Sequence, residues 1–262
     1  MKMSKFILAA AILIFSAQFA MAQDAEAIMK QSHLNYYYSG DDGKADVVMT
    51  LVDGSGKERV KEFTMVRKDL VDGGDQLYFV YFKKPSDIRR MTFMVSKHVD
   101  SDDDRMLYVP AIDLVKKIAA SDKASSFVGS DFSYEDVSGR LWTVDNHELM
   151  GEDKIGDTPV YKIKSTPKAD DYFAYRISFI DKEQKLPLRE EFYDKQGKLE
   201  RVFTAEKIET VDGIPTITVR KMENVAKGQY TTIDFGTIKY NIGIDEKYFS
   251  ERYMKKPHVS LR

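Results

Sequence analysis

From residue 45 to residue 240 the chain is a succession of short runs in which apolar side chains recur at about every second position. That is the period of a strand with one face against a core. The pattern predicts strands at 45–52, 58–67, 76–83, 91–96, 105–109, 141–149, 160–165, 172–181, 188–194, 199–208, 214–224 and 230–240. Turn sequences punctuate them: Asp53-Gly54-Ser55-Gly56, Asp72-Gly73-Gly74-Asp75, Asp194-Lys195-Gln196-Gly197 and Val211-Asp212-Gly213. Short strands joined by such turns form an antiparallel meander, and without a Pro/Ser-rich linker the expectation is one continuous sheet. Helical spacing occurs near the ends. Ala25, Ile28, Met29, Ser32 and Tyr36 make one stripe over 24–38, and Tyr248, Phe249, Arg252 and Tyr253 another over 245–254.

The strands are of two kinds. In 188–194, Leu188 and Phe192 oppose Arg189, Glu191 and Tyr193, so one face is wet. The runs Leu77-Tyr78-Phe79-Val80-Tyr81-Phe82 and Met91-Thr92-Phe93-Met94-Val95 are apolar on both faces and need cover on both. Ordinary two-sided packing meets that need, and so does a curved sheet wrapped round a helix with an apolar cavity left between. Both readings are open at this level.

Residues 1–22 read as a secretory signal peptide: Lys2 and Lys5, an apolar run from Phe6 to Phe15, then Ala20-Met21-Ala22 before a cleavage point at Gln23. Residues 23–262 then form a single domain. Cysteine is absent, which excludes disulfides, thiolate metal sites, a cysteine nucleophile and a lipid-anchor cysteine after the signal. Removing Lys2 and Lys5 from 40 basic residues leaves 38 against 42 acidic ones, a net charge near −4. Without a basic stripe, nucleic acid is not an expected partner.

Nothing in the chain assembles chemistry. His33, His98, His147 and His258 are scattered, with no HExxH, and GxSxG, GxGxxG and Walker patterns are missing. A calcium loop begun at Asp100 would need glycine at Arg105 and glutamate at Ala111. The run 100–104 therefore reads as a solvated turn. Glu148 and Glu190 have no evident partner for paired-carboxylate work. No catalytic residue, cofactor or metal is expected.

Residues 102–136 fit neither period. The strand Met106-Leu107-Tyr108-Val109 breaks at Pro110, a basic-apolar run 114–118 follows, and then small residues with Phe127, Val128 and Phe132 among them. Val115-Lys116-Lys117-Ile118 reads as a strand with a wet face or as a contact for anionic head groups. Asp104-Arg105-Met106-Leu107-Tyr108-Val109-Pro110, Lys116-Lys117-Ile118, Ser121-Asp122-Lys123 and the run FVGSDFSYED from Phe127 to Asp136 resemble the outer-membrane lipoprotein-sorting protein family, a branch of the LolA-like carriers. Leu186-Pro187-Leu188-Arg189 and the closing YFSERYM from Tyr248 are similar to its later segments.

The resemblance implies a mainly β (α+β) fold: a strongly curved antiparallel sheet forming an incomplete β-barrel, covered by a few helices. It also implies a periplasmic carrier of lipid or lipoprotein acyl chains, working with an inner-membrane RND-type transporter and an outer-membrane acceptor. Local chemistry nominates ligand contacts: Phe79, Tyr81, Phe93 and Met94 on the two-sided strands, Phe127, Phe132 and Tyr134 in a mobile cover over 119–133, and Trp142 as a cavity wall. Burying a 16-carbon chain would gain on the order of 12 kcal/mol with no specific polar contact. A transporter adaptor with a filled core and an enzyme acting on envelope lipid or polymer are the alternatives.

Overall fold

The computed structural model describes residues 25–262; the predicted signal peptide lies outside them. The strands form one antiparallel sheet of thirteen, strongly curved and not closed. Six run outward in chain order: β1 (Asp42–Val52), β2 (Glu58–Asp69), β3 (Gln76–Lys84), β4 (Thr92–Lys97), β5 (Asp104–Val109) and β6 (Leu114–Ile118). Seven run back inward: β7 (Asp145–Ile155), β8 (Thr158–Pro167), β9 (Tyr175–Asp181), β10 (Pro187–Tyr193), β11 (Leu199–Val211), β12 (Ile214–Asn224) and β13 (Gln229–Tyr240). The last strand pairs with the first, so both lie in the middle of the sheet. The two edges, β6 and β7, are consecutive in the chain, and residues 119–144 join them.

Turn chemistry fixes this meander. Asp53 Oδ1 accepts the backbone N–H of Ser55 and Lys57, and Asp194 Oδ1 does the same for Gln196 and Lys198. Asp212 and Gly213 both take positive φ, 51° and 82°, the geometry of a tight primed hairpin turn. Curvature comes from slips in register at Ala45/Val47, Glu62/Phe63, Ala205–Ile208 and Leu149/Gly151, each of which bends its strand and adds twist. One run left open by the sequence is settled as a strand, and one predicted strand starts late. The basic-apolar run is the edge strand β6, with Lys116 and Lys117 exposed. Residues 142–144 form a 3-10 turn, so the strand predicted from 141 begins at Asp145.

Helix α1 (25–37) and the 119–144 segment both lie on the concave face. Its largest core joins Val47, Phe63, Phe82, Phe93 and Val95 from β1–β4 with Phe192 and Phe203 from β10 and β11. On the convex face Val66, Phe79 and Met94 pack under Ile244, Met254 and Leu261 of the C-terminal tail, which includes helix α3 (Glu251–Lys255). That tail is why β3 and β4 are apolar on both sides.

Candidate functional site

The ligand contacts nominated from local chemistry fall into three separate places. Phe93, Phe127, Phe132 and Tyr134 meet in the concave core, where the Phe127 ring stands 5.3 Å from Phe93 and 5.9 Å from Tyr134. Phe79, Tyr81 and Met94 lie on the convex face beneath the tail. Trp142 packs half-buried near α1, with Ile163 and Ile180. The larger cavity touches none of them, and a second, smaller one touches Trp142.

The larger cavity, about 130 Å³, lies between the C-terminal end of α1 and the middle of the sheet. Ala45, Met65, Val137, Leu186, Ile217 and Ile238 give it apolar walls, Tyr36, Tyr37 and Phe235 give it aromatic ones, and Arg220 stands among them. Half-buried Ser39, Lys44, Thr216 and Tyr240 form its outer side, with the Thr216 and Tyr240 hydroxyls 3.1 Å apart. The helix is clamped there. Arg67 donates to the carbonyl of Tyr37 at 2.9 Å and to Gly40 at 2.7 Å, and Gln76 adds a bond to Tyr37 at 2.9 Å. A cation on the last carbonyls of a helix satisfies orphan acceptors and complements the helix dipole.

Beside the cavity the concave face carries buried charge over β9–β12. Arg140 is the hub. Its guanidinium reaches Asp145 at 2.7 Å, Asp171 at 2.8 Å and Glu135 at 3.2 Å, and Asp145 is fully buried. Arg176 pairs with Glu190 at 3.2 Å and Arg201 with Asp136 at 2.8 Å. Burial opposes ionisation of Asp136, but Arg201 and the Ser133 N–H hold its carboxyl below the usual carboxylate range. His33, in the same layer, is pushed down to about 3 by burial and by Lys97 and Arg176, so it stays neutral. Every carboxylate named here already holds an arginine, which leaves no free acid–base pair. Among the described residues no group of three or more His, Asp and Glu is set to hold a metal ion.

The 119–144 segment is an internal strap in this state. Phe127 and Phe132 are 1% and 2% exposed. Helix α2 (Tyr134–Ser138) starts at a capping box in which Ser133 and Asp136 exchange hydrogen bonds. Asp131 accepts from Thr231 at 2.8 Å and Gln229 at 2.6 Å, Lys61 donates to the Val128 carbonyl, and buried Lys97 donates to that of Gly139. Gly139 takes φ +81°, and a Cβ there would stand 2.8 Å from the Tyr37 ring, so only glycine lets strap and helix touch. Asp100, Ser101 and Asp102 of the acidic run are exposed, as in a solvated turn, and one residue of the run differs. Asp103 turns inward to Arg105 at 2.6 Å and to Ser138, rather than standing in solvent.

The cavity residues were missed because they come from α1, β1, β2, β3, α2, the β9–β10 loop, β12 and β13, far apart in sequence. A usable signal existed for part of the charged layer: Arg201 shares a strand face with Phe203, and Glu190 shares one with Phe192.

A family model described only as that of an uncharacterized protein matches residues 74–256, more than half of the chain. No curated protein sequence matches. A DUF1329 family protein from Desulfovibrio piger is 26% identical, with a TM-score of 0.83 over 89% of this chain and 99% of its own. An outer membrane lipoprotein-sorting protein domain from Vibrio parahaemolyticus has 23% identity and a TM-score of 0.83 over 90% of this chain and 100% of its own. A LolA superfamily protein from Nitrosomonas europaea has 16% identity and a TM-score of 0.69 over 87% and 98%. The chain thus belongs to the DUF1329-like family, and it has the fold of the LolA-like lipoprotein-sorting proteins that its central segment resembles.

Proposed function

We propose that this chain is a non-catalytic periplasmic carrier that binds acyl chains of a lipid or lipoprotein and moves them between the envelope membranes. The observation that carries the reading is the apolar cavity under the clamped end of α1, in a chain with a lipoprotein-sorting fold. The signal-peptide pattern of residues 1–22 supports export. A donor of the RND transporter type in the inner membrane and an acceptor in the outer membrane complete the path.

At about 130 Å³ the resting cavity matches one that takes a single benzene-sized group, roughly 150 Å³. It therefore admits the end of an acyl chain, and the rest enters as the cavity widens. The N-terminal half of α1 holds the sheet through apolar contacts of Ala25 and Met29 with Ile163 and Ile180. Each methylene buried contributes about 0.8 kcal/mol, which compensates for the opening. A cavity of this kind weighs against the transporter adaptor, which needs a filled core.

The test is displacement of a fluorescent acyl probe from the mature protein. Ile238 is a half-buried wall residue of the cavity. Filling the space by Ile238→Trp is expected to weaken probe binding at least about tenfold, the loss of two methylene equivalents. Unaltered probe affinity in a folded Ile238→Trp protein would remove the cavity from the account.

A further inference from the structure

Three cations line the larger cavity: Arg67 holds Asp69, half-buried Lys44 donates to the carbonyls of Ser260 and Arg262 at the outer side, and buried Arg220 holds no carboxylate. Arg220 is 7% exposed. Its guanidinium carbon lies 4.7 Å from the ring centre of Phe235, 5.4 Å from Phe132 and 5.9 Å from Tyr36. Its polar contact is NH1 donating to the Tyr36 hydroxyl at 2.6 Å, while its Nε–H is buried without an acceptor. The other four buried arginines each hold a carboxylate: Arg105 has Asp103, Arg140 has Asp145, Arg176 has Glu190 and Arg201 has Asp136. Among the described residues, none does so for Arg220. The rings around it attract a cation weakly and leave its fork of donors open. A cation kept in an apolar wall without a counter-ion is costly, and the cost is recovered when an anion arrives.

We propose that Arg220 is an anion site for the head of the cargo, and that the cargo is a single-chain amphiphile ending in a carboxylate. This rests on the carrier reading and adds a ligand class to it. The planar guanidinium presents adjacent N–H groups that match the two oxygens of a carboxylate. The Tyr36 hydroxyl, which accepts from Arg220, keeps its own proton to donate to the same anion. Thr216 lies four residues before Arg220 on β12, roughly 13 Å along the strand. A carboxylate at Arg220 therefore sits at the inner end, with its tail running past Ile217 and Ile238 to the Thr216–Tyr240 rim.

The experiment compares decanoate with methyl decanoate, both below their aggregation limits, on the mature protein by titration calorimetry at pH 8. Tails match, and only the head charge differs. Wild type is expected to bind the acid about tenfold or more tightly than the ester, the range of a charge-assisted hydrogen-bonded pair. In Arg220→Met that ratio falls to about one. Equal binding of acid and ester by wild type overturns the proposal, and so does a preference that survives Arg220→Met. Ester binding without acid preference leaves the acyl carrier standing and sinks the anion site; no binding of either sinks both. If Arg220→Met does not fold, Tyr36→Phe replaces it: the ratio is expected to fall severalfold, and an undiminished ratio overturns the assignment.

Discussion

Replacing Arg140 by methionine removes the hub of the buried charged layer while keeping most of its volume. The Arg140 side chain is 6% exposed and meets Asp145, Asp171 and Glu135. Without it, Asp145 retains only Arg176, at 3.7 Å, while Glu135 and Asp171 retain Lys123 at 3.2 and 3.1 Å. Breaking a buried pair by removing one partner costs about 3–5 kcal/mol, and these remaining contacts place the loss at about 3–4 kcal/mol. For a domain of this size that lowers Tm by roughly 6–16 °C. The deficit depends on pH with a definite sign. Burial opposes ionisation of Asp171, but the Tyr172 N–H, Arg140 and Lys123 prevail and hold its carboxyl below the usual range. A carboxyl depressed in the folded state contributes stability above its unfolded pKa and loses it as pH falls through the folded one. Arg140→Met forfeits part of that contribution, so its deficit is largest at neutral pH and shrinks as pH falls below the ordinary carboxylate range. Urea unfolding of both proteins at pH 7 and about pH 3 measures it. A deficit under about 1 kcal/mol at pH 7, or one equal at both pH values, would refute the hub.

Three further outcomes are expected. Gly139→Ala forces a side chain into a glycine-only conformation and against the Tyr37 ring, and should cost about 2–4 kcal/mol in chemical unfolding; a loss below about 1 kcal/mol would mean that helix and strap are not in firm contact. Phe127→Ala should cost about 3–5 kcal/mol, because the ring is 1% exposed and touches Phe63, Phe82 and Phe93. A near-neutral result would instead describe a loose cover. Ile238→Trp should block an acyl probe while leaving Tm within a few degrees, since it fills existing space; a strongly lowered Tm would show that the cavity cannot take the ring.

The strand framework is legible in the sequence because its signals are local: alternation within 188–194, aspartate-led turns at Asp53 and Asp194, and an amphipathic stripe from Ala25 to Tyr36. The turn at 142–144 reads as a strand because Leu141, Trp142 and Val144 have strand composition while tertiary contacts set the backbone. Arg201 and Arg220 stand two residues before buried Phe203 and Met222 on the same strand faces, so polar and apolar positions mix on one face instead of alternating between two. The curved sheet buries that face, and Arg176 and Arg201 meet carboxylates there. The cavity is the least legible part. Its walls meet only once β1 pairs with β13, Ala45 opposite Ile238, across nearly the whole chain. Local chemistry nominated the aromatic side chains as ligand contacts; the structure packs Phe93, Phe127 and Phe132 in the concave core and Phe79 in the convex one, a division that local composition does not show.

The most direct measurement is mass spectrometry of the organic extract of this protein purified from its native host without added lipid. A carrier retains an acyl-bearing molecule at near-equimolar amount and loses it in Ile238→Trp. An extract free of acyl compounds, from protein that also fails to take up an acyl probe, would contradict the carrier reading.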